Sequence, residues 1–339
     1  MTEKPVTRRR GRAKPIPFLH IPEDEQREYN EVSLNGAPTE EEATLGALAG
    51  YYDTGGYVFS RYPSKLTHPN WREFKDPDKY WFRTYNRYLA NQAMIITHGT
   101  ETLLSTGFLE FLDPGWQDAL RYLAAFRFHE AGALRLWQVT QYMAASETIS
   151  YCAVEECGSR LLAVHSINRY ALDLTAAVDG WDDENAKDLW VDDPVYTGVR
   201  EYVEHELTIR DWGEAVLADA VVAVTLYYEP ILRFFAVNGA AHGDVSTPTI
   251  VSSFTDMAER RLRWGKALIA FALSQEPNRP VLEEWLARWE PRAEAALESL
   301  APLYEGLPRP VLKYSAEADR ARASYQSTLE ELGLSGGKS

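Results

Sequence analysis

Histidines that lie near acidic residues are the first candidates for chemistry in this chain. A helical bundle holds a carboxylate-bridged pair of iron ions with four carboxylates and two imidazoles, and Glu-x-x-His pairs place a carboxylate and an imidazole on one helix face. The seven histidines are His20, His68, His98, His129, His165, His205 and His242, and the residues three positions before them are Pro17, Lys65, Ile95, Phe126, Leu162, Tyr202 and Gly239. None of these preceding residues is an acid. The sequence therefore contains no Glu-x-x-His motif, and we predict no metal site on this chain.

Other catalytic motifs are missing as well. The chain has no Gly-rich phosphate loop, no His-Glu-x-x-His and no Cys-x-x-Cys. His129-Glu130 and His205-Glu206 are adjacent pairs on predicted helices, where neighbouring side chains diverge by about 100°. Neither pair can form a catalytic dyad alone, and each histidine is expected to be a hydrogen-bonding residue of the core or of an interface.

A helical hairpin is the element around which the chain is predicted to be organised. Its helices are expected at Trp116 to Met143 and Ser150 to Val178, with a turn at Ala144-Ala145-Ser146 that supplies an N-cap. The second helix has an apolar stripe at three- and four-residue spacing, which is typical of a face buried against other helices. The stripe consists of Val154, Cys157, Leu161, Val164, Ile167, Ala171 and Leu174.

Further helices are predicted on both sides of the hairpin. Asp76-Pro77 is expected to cap and open one helix. A long helix is predicted from Pro194 to Asn238, with a kink or break at Pro230. Its apolar run is too short and too interrupted to suggest a membrane span. Another helix should end before Pro277. No strand alternation persists over a useful length, so the predicted fold class is all-α.

Composition and charge exclude several functions. The 35 basic and 50 acidic residues give a net charge of −15, which should repel nucleic acid and anionic lipid. Cys152 and Cys157 lie five positions apart on one predicted helix and are expected to be reduced, as in a cytoplasmic protein. The N-terminus has no apolar run after its basic residues, so we predict no signal peptide.

Three regions are predicted along the chain. Residues 1–70 should form an extended N-terminal arm and irregular segment, because six basic residues and one acid precede a proline- and tyrosine-rich stretch. The arm has three open interpretations, a solubilising tail, a segment that lies on an acidic partner subunit, or a nucleic-acid-binding segment. The third is the weakest, because one short basic cluster on an acidic protein is a weak signal. Residues 71–310 should be the helical domain. Residues 311–339 are predicted to be a polar C-terminal tail.

Several short motifs resemble one protein family. They are Gln141-Tyr142-Met143-Ala144-Ala145-Ser146, Trp71-Arg72-Glu73-Phe74-Lys75-Asp76-Pro77, Thr84-Tyr85-Asn86-Arg87-Tyr88, Arg210-Asp211-Trp212-Gly213-Glu214-Ala215, and Trp285 with Trp289-Glu290-Pro291. Their order and spacing, from about Trp71 to Leu307, resemble the β (small) subunit of bacterial soluble multicomponent diiron monooxygenase hydroxylases. These enzymes oxygenate methane, propane, alkenes, toluene and phenol.

The resemblance implies a ferritin-like helical bundle with an extended N-terminal arm, acting as a non-catalytic β subunit. Such a subunit scaffolds the catalytic α subunit, which carries the diiron centre, and helps to form a dimeric core with a second α-β protomer. The other implied partners are a small effector protein and an electron donor. The donor is either a reductase with NADH, FAD and an iron-sulfur cluster or a ferredoxin, and the assembly is implied with or without a γ subunit. This chain is expected to bind no cofactor, nucleic acid or membrane. A short alkene or alkane is the preferred substrate of the assembly.

The family's α subunits resemble its β subunits in fold, and this similarity implies where ligand positions have been lost. They fall near Glu130, Arg160, Ala163, Ala223, Met257 and Arg260. Only Glu130 could bind a metal ion. The two arginines would place permanent positive charge where iron would lie, because a guanidinium stays protonated.

Two alternatives from other classes remain open. One is a ferritin-like enzyme with an atypical metal site, which predicts iron in the isolated chain. The other is a helical ligand-binding or regulatory protein, which predicts a stable monomer with an internal cavity. The missing histidine ligands argue against the first, and the tyrosine-rich N-terminal segment argues against the second.

Overall fold

The computed structural model describes Tyr29 and residues 64–307 and 309–334, and every regular element in these ranges is helical. The all-α prediction is confirmed. The predicted N-terminal arm lies outside the described residues except for Tyr29 and residues 64–70, and so do residues 335–339 of the predicted tail. Tyr29 contacts the helical domain, because its hydroxyl accepts a hydrogen bond from the backbone N–H of Asp76 at 2.8 Å.

The helices of the described ranges are numbered here in chain order. They are α1 (Phe82–Leu104), α2 (Pro114–Met143), α3 (Glu147–Ala177), α4 (Ala186–Asp192), α5 (Pro194–Glu206), α6 (Trp212–Ala241), α7 (Ser246–Leu273), α8 (Asn278–Ser299), α9 (Ala301–Glu305) and α10 (Tyr314–Leu332). Two 3-10 helices, Trp71–Glu73 and Phe108–Phe111, flank α1.

The predicted hairpin is present as α2 and α3, which pack along each other. Asp113 caps α2 by accepting a hydrogen bond from Gly115 N at 2.9 Å, and Pro114 occupies the first turn. Ser146 caps α3 by accepting from Ile149 N at 3.4 Å. The turn residues Ala144, Ala145 and Ser146 therefore end one helix and start the next, as the sequence predicts.

The predicted buried stripe of α3 is only partly correct. Ile167, Ala171 and Leu174 are buried, but Val154 is 43% exposed and Leu161 is 57% exposed. The face that α3 turns into the bundle instead carries polar and charged side chains at Glu155, Glu156, Ser159, Arg160 and Ser166. Buried ion pairs make this possible, because each charge finds a partner inside the bundle.

Helix α6 is the central helix of the bundle. Its middle, Val216–Tyr228, is π-helical and buried at every residue. The helix passes through Pro230, so of the predicted kink or break, the break does not occur. The wider π turn before Pro230 displaces the carbonyl that a proline ring would meet in an α-helix. The predicted continuous helix from Pro194 is also wrong: α5 ends at Glu206, and Asp211 caps α6 by accepting from Gly213 N at 2.8 Å.

One described helix, Trp212–Ala241, is long and apolar enough to cross a membrane by length and composition alone. However, 94% of its most apolar window is buried inside the bundle. Other helices, chiefly α7, α8 and α10, cover it. This is the environment expected of a core helix, as the sequence predicts.

Asp76 does not begin a helix, contrary to the prediction. Helix α1 begins six residues later at Phe82. The Asp76 carboxylate accepts hydrogen bonds from Asp78 N at 3.2 Å and Tyr80 N at 2.8 Å, which closes a turn. The same carboxylate lies 3.3 Å from the Arg260 guanidinium. Asp76 therefore belongs to the buried interior rather than to a helix end.

The predicted polar C-terminal tail is also different in the structure. Most of its described part forms α10, which packs against α6 and the end of the bundle. Ala318, Ala321, Tyr325 and Leu329 are buried on one face. Their spacing of three or four residues is that of an amphipathic helix, but the small alanines give a weak hydrophobic signal. The division into three regions otherwise stays a prediction.

Candidate functional site

A buried arginine joins two carboxylates at the centre of the bundle. Arg160 of α3 donates from Nη1 to both oxygens of Glu130 on α2, at 3.0 and 3.1 Å. Its Nη2 donates to both oxygens of Asp219 on α6, at 2.8 and 2.9 Å. All three side chains are at most 1% exposed. Charge-assisted pairs of this kind are strong, but removing one partner leaves an unpaired buried charge.

A second arginine holds another group of acids beside the first. Arg260 of α7 pairs with Glu155 and with Asp76, the latter at 3.3 Å. Its Nη1 lies 3.5 Å from Glu156 Oε1. Arg261 links the two groups, since it lies 3.6 Å from both Glu156 Oε2 and Asp219 Oδ2. We call these side chains the ion network; its members are Asp76, Glu130, Glu155, Glu156, Arg160, Asp219, Arg260 and Arg261.

Indole and imidazole groups complete the hydrogen bonding of the ion network. Trp137 Nε1 donates to Asp219 Oδ2 at 2.8 Å, and Trp264 Nε1 donates to Glu156 Oε1 at 3.0 Å. His129 contacts Glu130 Oε1 through Nδ1 at 3.0 Å and the Tyr227 hydroxyl through Nε2 at 3.2 Å. Burial lowers the pKa of His129, so the neutral ring donates to Glu130 and accepts from Tyr227.

The acids around these arginines divide into two classes. Burial opposes ionisation of Glu130 and Asp219, but the Arg160 guanidinium overcomes it, lowering the pKa of Glu130 to about 2 and also lowering that of Asp219. By contrast, burial raises the pKa of Glu155 to about 8, and it raises the pKa of Glu156 and Asp76. The arginines therefore favour the anionic form of the first two acids, whereas burial favours the protonated form of the other three.

Glu206 lies near this interior without joining it. The side chain is fully buried at the end of α5, and neither carboxyl oxygen has a hydrogen-bond partner among the described residues. Burial raises its pKa well above the usual range. Burial without a hydrogen-bond partner therefore favours the neutral form of Glu206.

The structure brings only some of the sequence-predicted positions together. Glu130 and Arg160 are in direct contact. Ala163 lies one turn after Arg160, Ala223 lies one turn after Asp219, and Met257 lies one turn before Arg260; all three are buried. Arg260 belongs to the second group of acids and pairs with those rather than with Glu130.

Sequence reasoning missed the other members of the ion network. Asp219 is the only charged residue in the apolar run 215–228. A lone charge in such a helix needs a buried partner, so this signal was available. Glu156 and Arg160 also have the i, i+4 spacing of a pair on one helix face. Glu155, Arg261 and Asp76 gave no comparable signal, because their partners are far away in the sequence.

A metal ion does not fit the most plausible ligand group. Asp76, Cys152 and Glu155 are buried, and their ligand atoms lie within 4.8 Å of one another. However, Arg260 donates to both carboxylates, and a guanidinium there already supplies the positive charge. Burial also raises the pKa of the Cys152 thiol well above its usual range, which disfavours the thiolate that binds metals. The arrangement is suited to holding helices together rather than to binding an ion.

The opposite face of α3 is apolar and exposed. Val154, Leu161 and Leu172 are 43%, 57% and 70% exposed. Their separations of seven and eleven residues place them along one line on the helix, about 27 Å long, with exposed His165 between them. We call this line the α3 stripe. A run of exposed apolar side chains on one helix face is typical of an interface.

Comparison with known proteins gives consistent matches over most of the chain. The model of the methane/phenol/alkene hydroxylase family matches residues 51–276. The β subunit of the hydroxylase component of the toluene-4-monooxygenase system from Ectopseudomonas mendocina is 31% identical over 253 residues, covering 72% of this chain and 75% of that one. The small subunit of the propane 2-monooxygenase hydroxylase from Rhodococcus jostii (strain RHA1) is 26% identical over 323 residues, covering 90% and 85%.

Solved structures agree with these matches. A structure of toluene 4-monooxygenase, with toluene bound in the resting active site, superposes with a TM-score of 0.74 and 26% identity, covering 83% of this chain and 94% of that one. Phenol hydroxylase from Pseudomonas sp. OX1 superposes with a TM-score of 0.72 at 22% identity, covering 81% of each chain, and this match supports the fold alone.

Proposed function

This chain belongs to the methane/phenol/alkene hydroxylase family, whose matching members are β or small subunits of multicomponent monooxygenases, and from that premise we propose that it is a non-catalytic scaffold subunit. Its role is to support a catalytic α subunit that carries the diiron centre. No catalytic or metal-binding residue lies on this chain in the proposal.

The observation that carries the proposal is the position of Arg160 between Glu130 and Asp219. A diiron bundle places positive metal ions between inward-pointing carboxylates. Here the Arg160 guanidinium supplies the positive charge between the carboxylates, and Arg260 and Arg261 supply positive charge to the neighbouring acids. The arginines keep the acids of the helices paired, so the bundle keeps its shape without a metal ion.

The α3 stripe supports an association role. Its apolar side chains are exposed on the chain alone, and the interaction that would remove them from water is the packing of another subunit. We propose that the catalytic α subunit covers this stripe. A second α-β protomer would complete the dimeric core, with or without a γ subunit.

The proposed reaction of the assembly is the O₂- and NADH-dependent oxygenation of a small hydrocarbon. Electrons would come from NADH through a reductase with FAD and an iron-sulfur cluster, or through a ferredoxin, and a small effector protein would dock on the hydroxylase. A short alkene or alkane remains the preferred substrate, supported by the propane 2-monooxygenase small subunits that match 90% of this chain. The proposed location is the cytoplasm.

Co-expression of this chain with its candidate α partner tests the proposal. The complex and each chain alone would be purified, sized and analysed for iron. We expect this chain to be free of iron alone and to join an iron-containing complex with two copies of each subunit. A monomer of this chain with stoichiometric iron would overturn the proposal and favour a ferritin-like enzyme.

A further inference from the structure

A surface pocket of about 250 Å³ lies away from the ion network, between the end of α5, the start of α6 and helix α8. Its floor includes Ile209 and Trp289, which are 5% and 2% exposed. Three arginines, Arg210, Arg288 and Arg292, line it. The pocket thus combines an apolar floor with a concentration of guanidinium groups.

Among the described residues, only Arg288 of these three arginines is paired with a carboxylate. Arg288 donates to Glu214 Oε1 at 2.7 Å and to Glu284 Oε1 at 3.1 Å. Glu214 Oε1 also accepts from Trp289 Nε1 at 2.9 Å. The one acid that lines the pocket is therefore already engaged by Arg288 and by the floor.

The other two arginines donate to backbone carbonyls. Arg210 Nη1 donates to Ile209 O at 2.9 Å, and Arg292 Nη1 donates to Arg288 O at 2.7 Å. Within the part of the chain that the structure describes, neither guanidinium has a carboxylate partner. Two uncompensated positive charges thus remain at one pocket of a chain whose net charge is −15.

The contacts of Arg210 and Arg292 restrain both guanidiniums while leaving donors that can bind an anion. The Arg292 guanidinium lies over the Trp289 ring at 5.5 Å, which restricts its motion while its edge keeps free donors. Arg210 lies in the segment between α5 and α6, where its hydrogen bond to Ile209 O restrains it. Because planar guanidiniums bind carboxylates with directed, paired hydrogen bonds, the matching ligand is a carboxylate on a short apolar stem.

We propose that this pocket docks an acidic segment of a partner protein, with one Asp or Glu side chain entering between Arg210 and Arg292. The pocket opens to the surface, so the ligand can stay attached to a larger body while its carboxylate is inside. The apolar floor contacts the methylene groups of such a side chain. This proposal does not depend on the scaffold role, because it rests on the pocket alone.

The test uses the full chain and a fluorescently labelled peptide of six glutamates, with binding followed by fluorescence anisotropy at low salt. We expect R210Q/R292Q to weaken peptide binding by at least about tenfold. The matched control is R169Q/R309Q, which removes two exposed, acid-paired arginines elsewhere and changes the net charge equally. Its effect should be at most about twofold. Equal weakening by both double variants, or no binding to the unmodified chain, would overturn the proposal.

A second pair of variants fills the pocket instead of removing its charges. Thr208 lines the pocket, and its hydroxyl donates to His205 O at 2.7 Å. Thr106 is also exposed, and its hydroxyl donates to Leu103 O at 2.7 Å, outside the pocket. T208E should abolish peptide binding, whereas T106E should leave it unchanged. Loss with both variants would overturn the proposal.

Free glutarate distinguishes a protein segment from a small carboxylate ligand. We expect glutarate to displace the labelled peptide only at concentrations at least about tenfold above those of unlabelled hexaglutamate, because the attached segment supplies further contacts. Displacement by glutarate at the same concentration would assign the pocket to a free carboxylate and overturn the docking proposal.

Discussion

Arg160 and Asp219 lie 59 positions apart in the sequence and form a two-bonded ion pair inside the bundle, at 2.8 and 2.9 Å. The pair joins α3 to α6, and the contact of Arg160 with Glu130 joins both helices to α2. One side chain therefore connects three helices. This arrangement explains how the polar face of α3 finds partners for its charges inside the bundle.

Replacement of Arg160 by Met should destabilise the fold strongly. The change leaves Glu130 and Asp219 as buried carboxylates without their main partner, and such losses typically cost about 3–5 kcal/mol. Urea unfolding at pH 7 measures the change. R169Q breaks an exposed pair with Glu101 and should cost at most about 1 kcal/mol.

A triple variant tests the reason for that loss. E130Q/R160M/D219N removes both charges together with the arginine, so we expect it to recover much of the stability that R160M loses. If the triple variant is as unstable as R160M, unpaired charge is not the cause of the loss.

The contribution of Glu155 to the stability of the chain should fall as pH rises from about 4.5 to about 8. Burial raises the pKa of Glu155 to about 8 in the folded state, against an ordinary value of 4.5 for an exposed glutamate. The folded state then holds a proton that the unfolded state has released. The stabilising contribution is therefore complete below pH 4.5 and lost as pH rises through 8, at up to about 1.4 kcal/mol per pH unit.

The measurement is the free energy of unfolding at pH 5, 6.5 and 8. E155Q should flatten this decline, whereas E283Q, at a partly exposed position on α8, should leave it unchanged. The low pKa of Glu130 acts in the opposite direction, since its contribution is present above pH 4.5 and lost as pH falls through about 2. A slope that E155Q does not alter would contradict this assignment.

Charges on the α3 stripe should block assembly while leaving the fold intact. Leu161 and Leu172 are both more than half exposed, so L161E/L172E should change the free energy of unfolding by less than about 1 kcal/mol. Co-purification with the α partner should fall at least about tenfold, because two carboxylates would be buried at an apolar interface. V311E alters a side chain that is 55% exposed outside the stripe and serves as the control. Normal recovery of the complex with L161E/L172E would place the interface elsewhere.

Gly198 marks the closest approach of α5 to α8. A Cβ atom at this position would lie 2.4 Å from Ala295 O and 2.9 Å from Ala296 Cα. The obstacle is backbone and cannot rotate away, so G198A should destabilise the fold by about 1–3 kcal/mol despite the higher helix propensity of alanine. Thermal unfolding measures the effect. E201A, at an exposed position of the same helix, should be nearly neutral, and a neutral G198A would show that the two helices can separate.

The local signals in the sequence predicted the hairpin well. Asp113 and Ser146 both cap helices in the structure, and the turn between α2 and α3 is where the small residues predict it. Such signals involve residues within a few positions of one another. They do not require knowledge of the rest of the fold.

The face of α3 could not be predicted in the same way. An apolar stripe and a charged stripe lie on the same helix, and hydropathy assigns the apolar one to the core. The structure buries Glu155, Glu156 and Arg160 because their partners come from α2, α6 and α7. Those partners are known only once the fold is known. Arg160 and Arg260 were singled out from the family resemblance, whereas periodicity alone would have placed both at the surface.

Helix α10 has a consequence for how the protein is made. It covers the central helix α6 through Tyr325 and Leu329, yet it is the last described helix to leave the ribosome. Until translation reaches it, the thirteen buried, π-helical positions of Val216–Tyr228 lack part of their cover. The interior therefore closes only after α10 has been synthesised, and the nascent chain is exposed to aggregation until then. A ribosome stalled before residue 314 would hold a chain that chaperones recognise as unfinished.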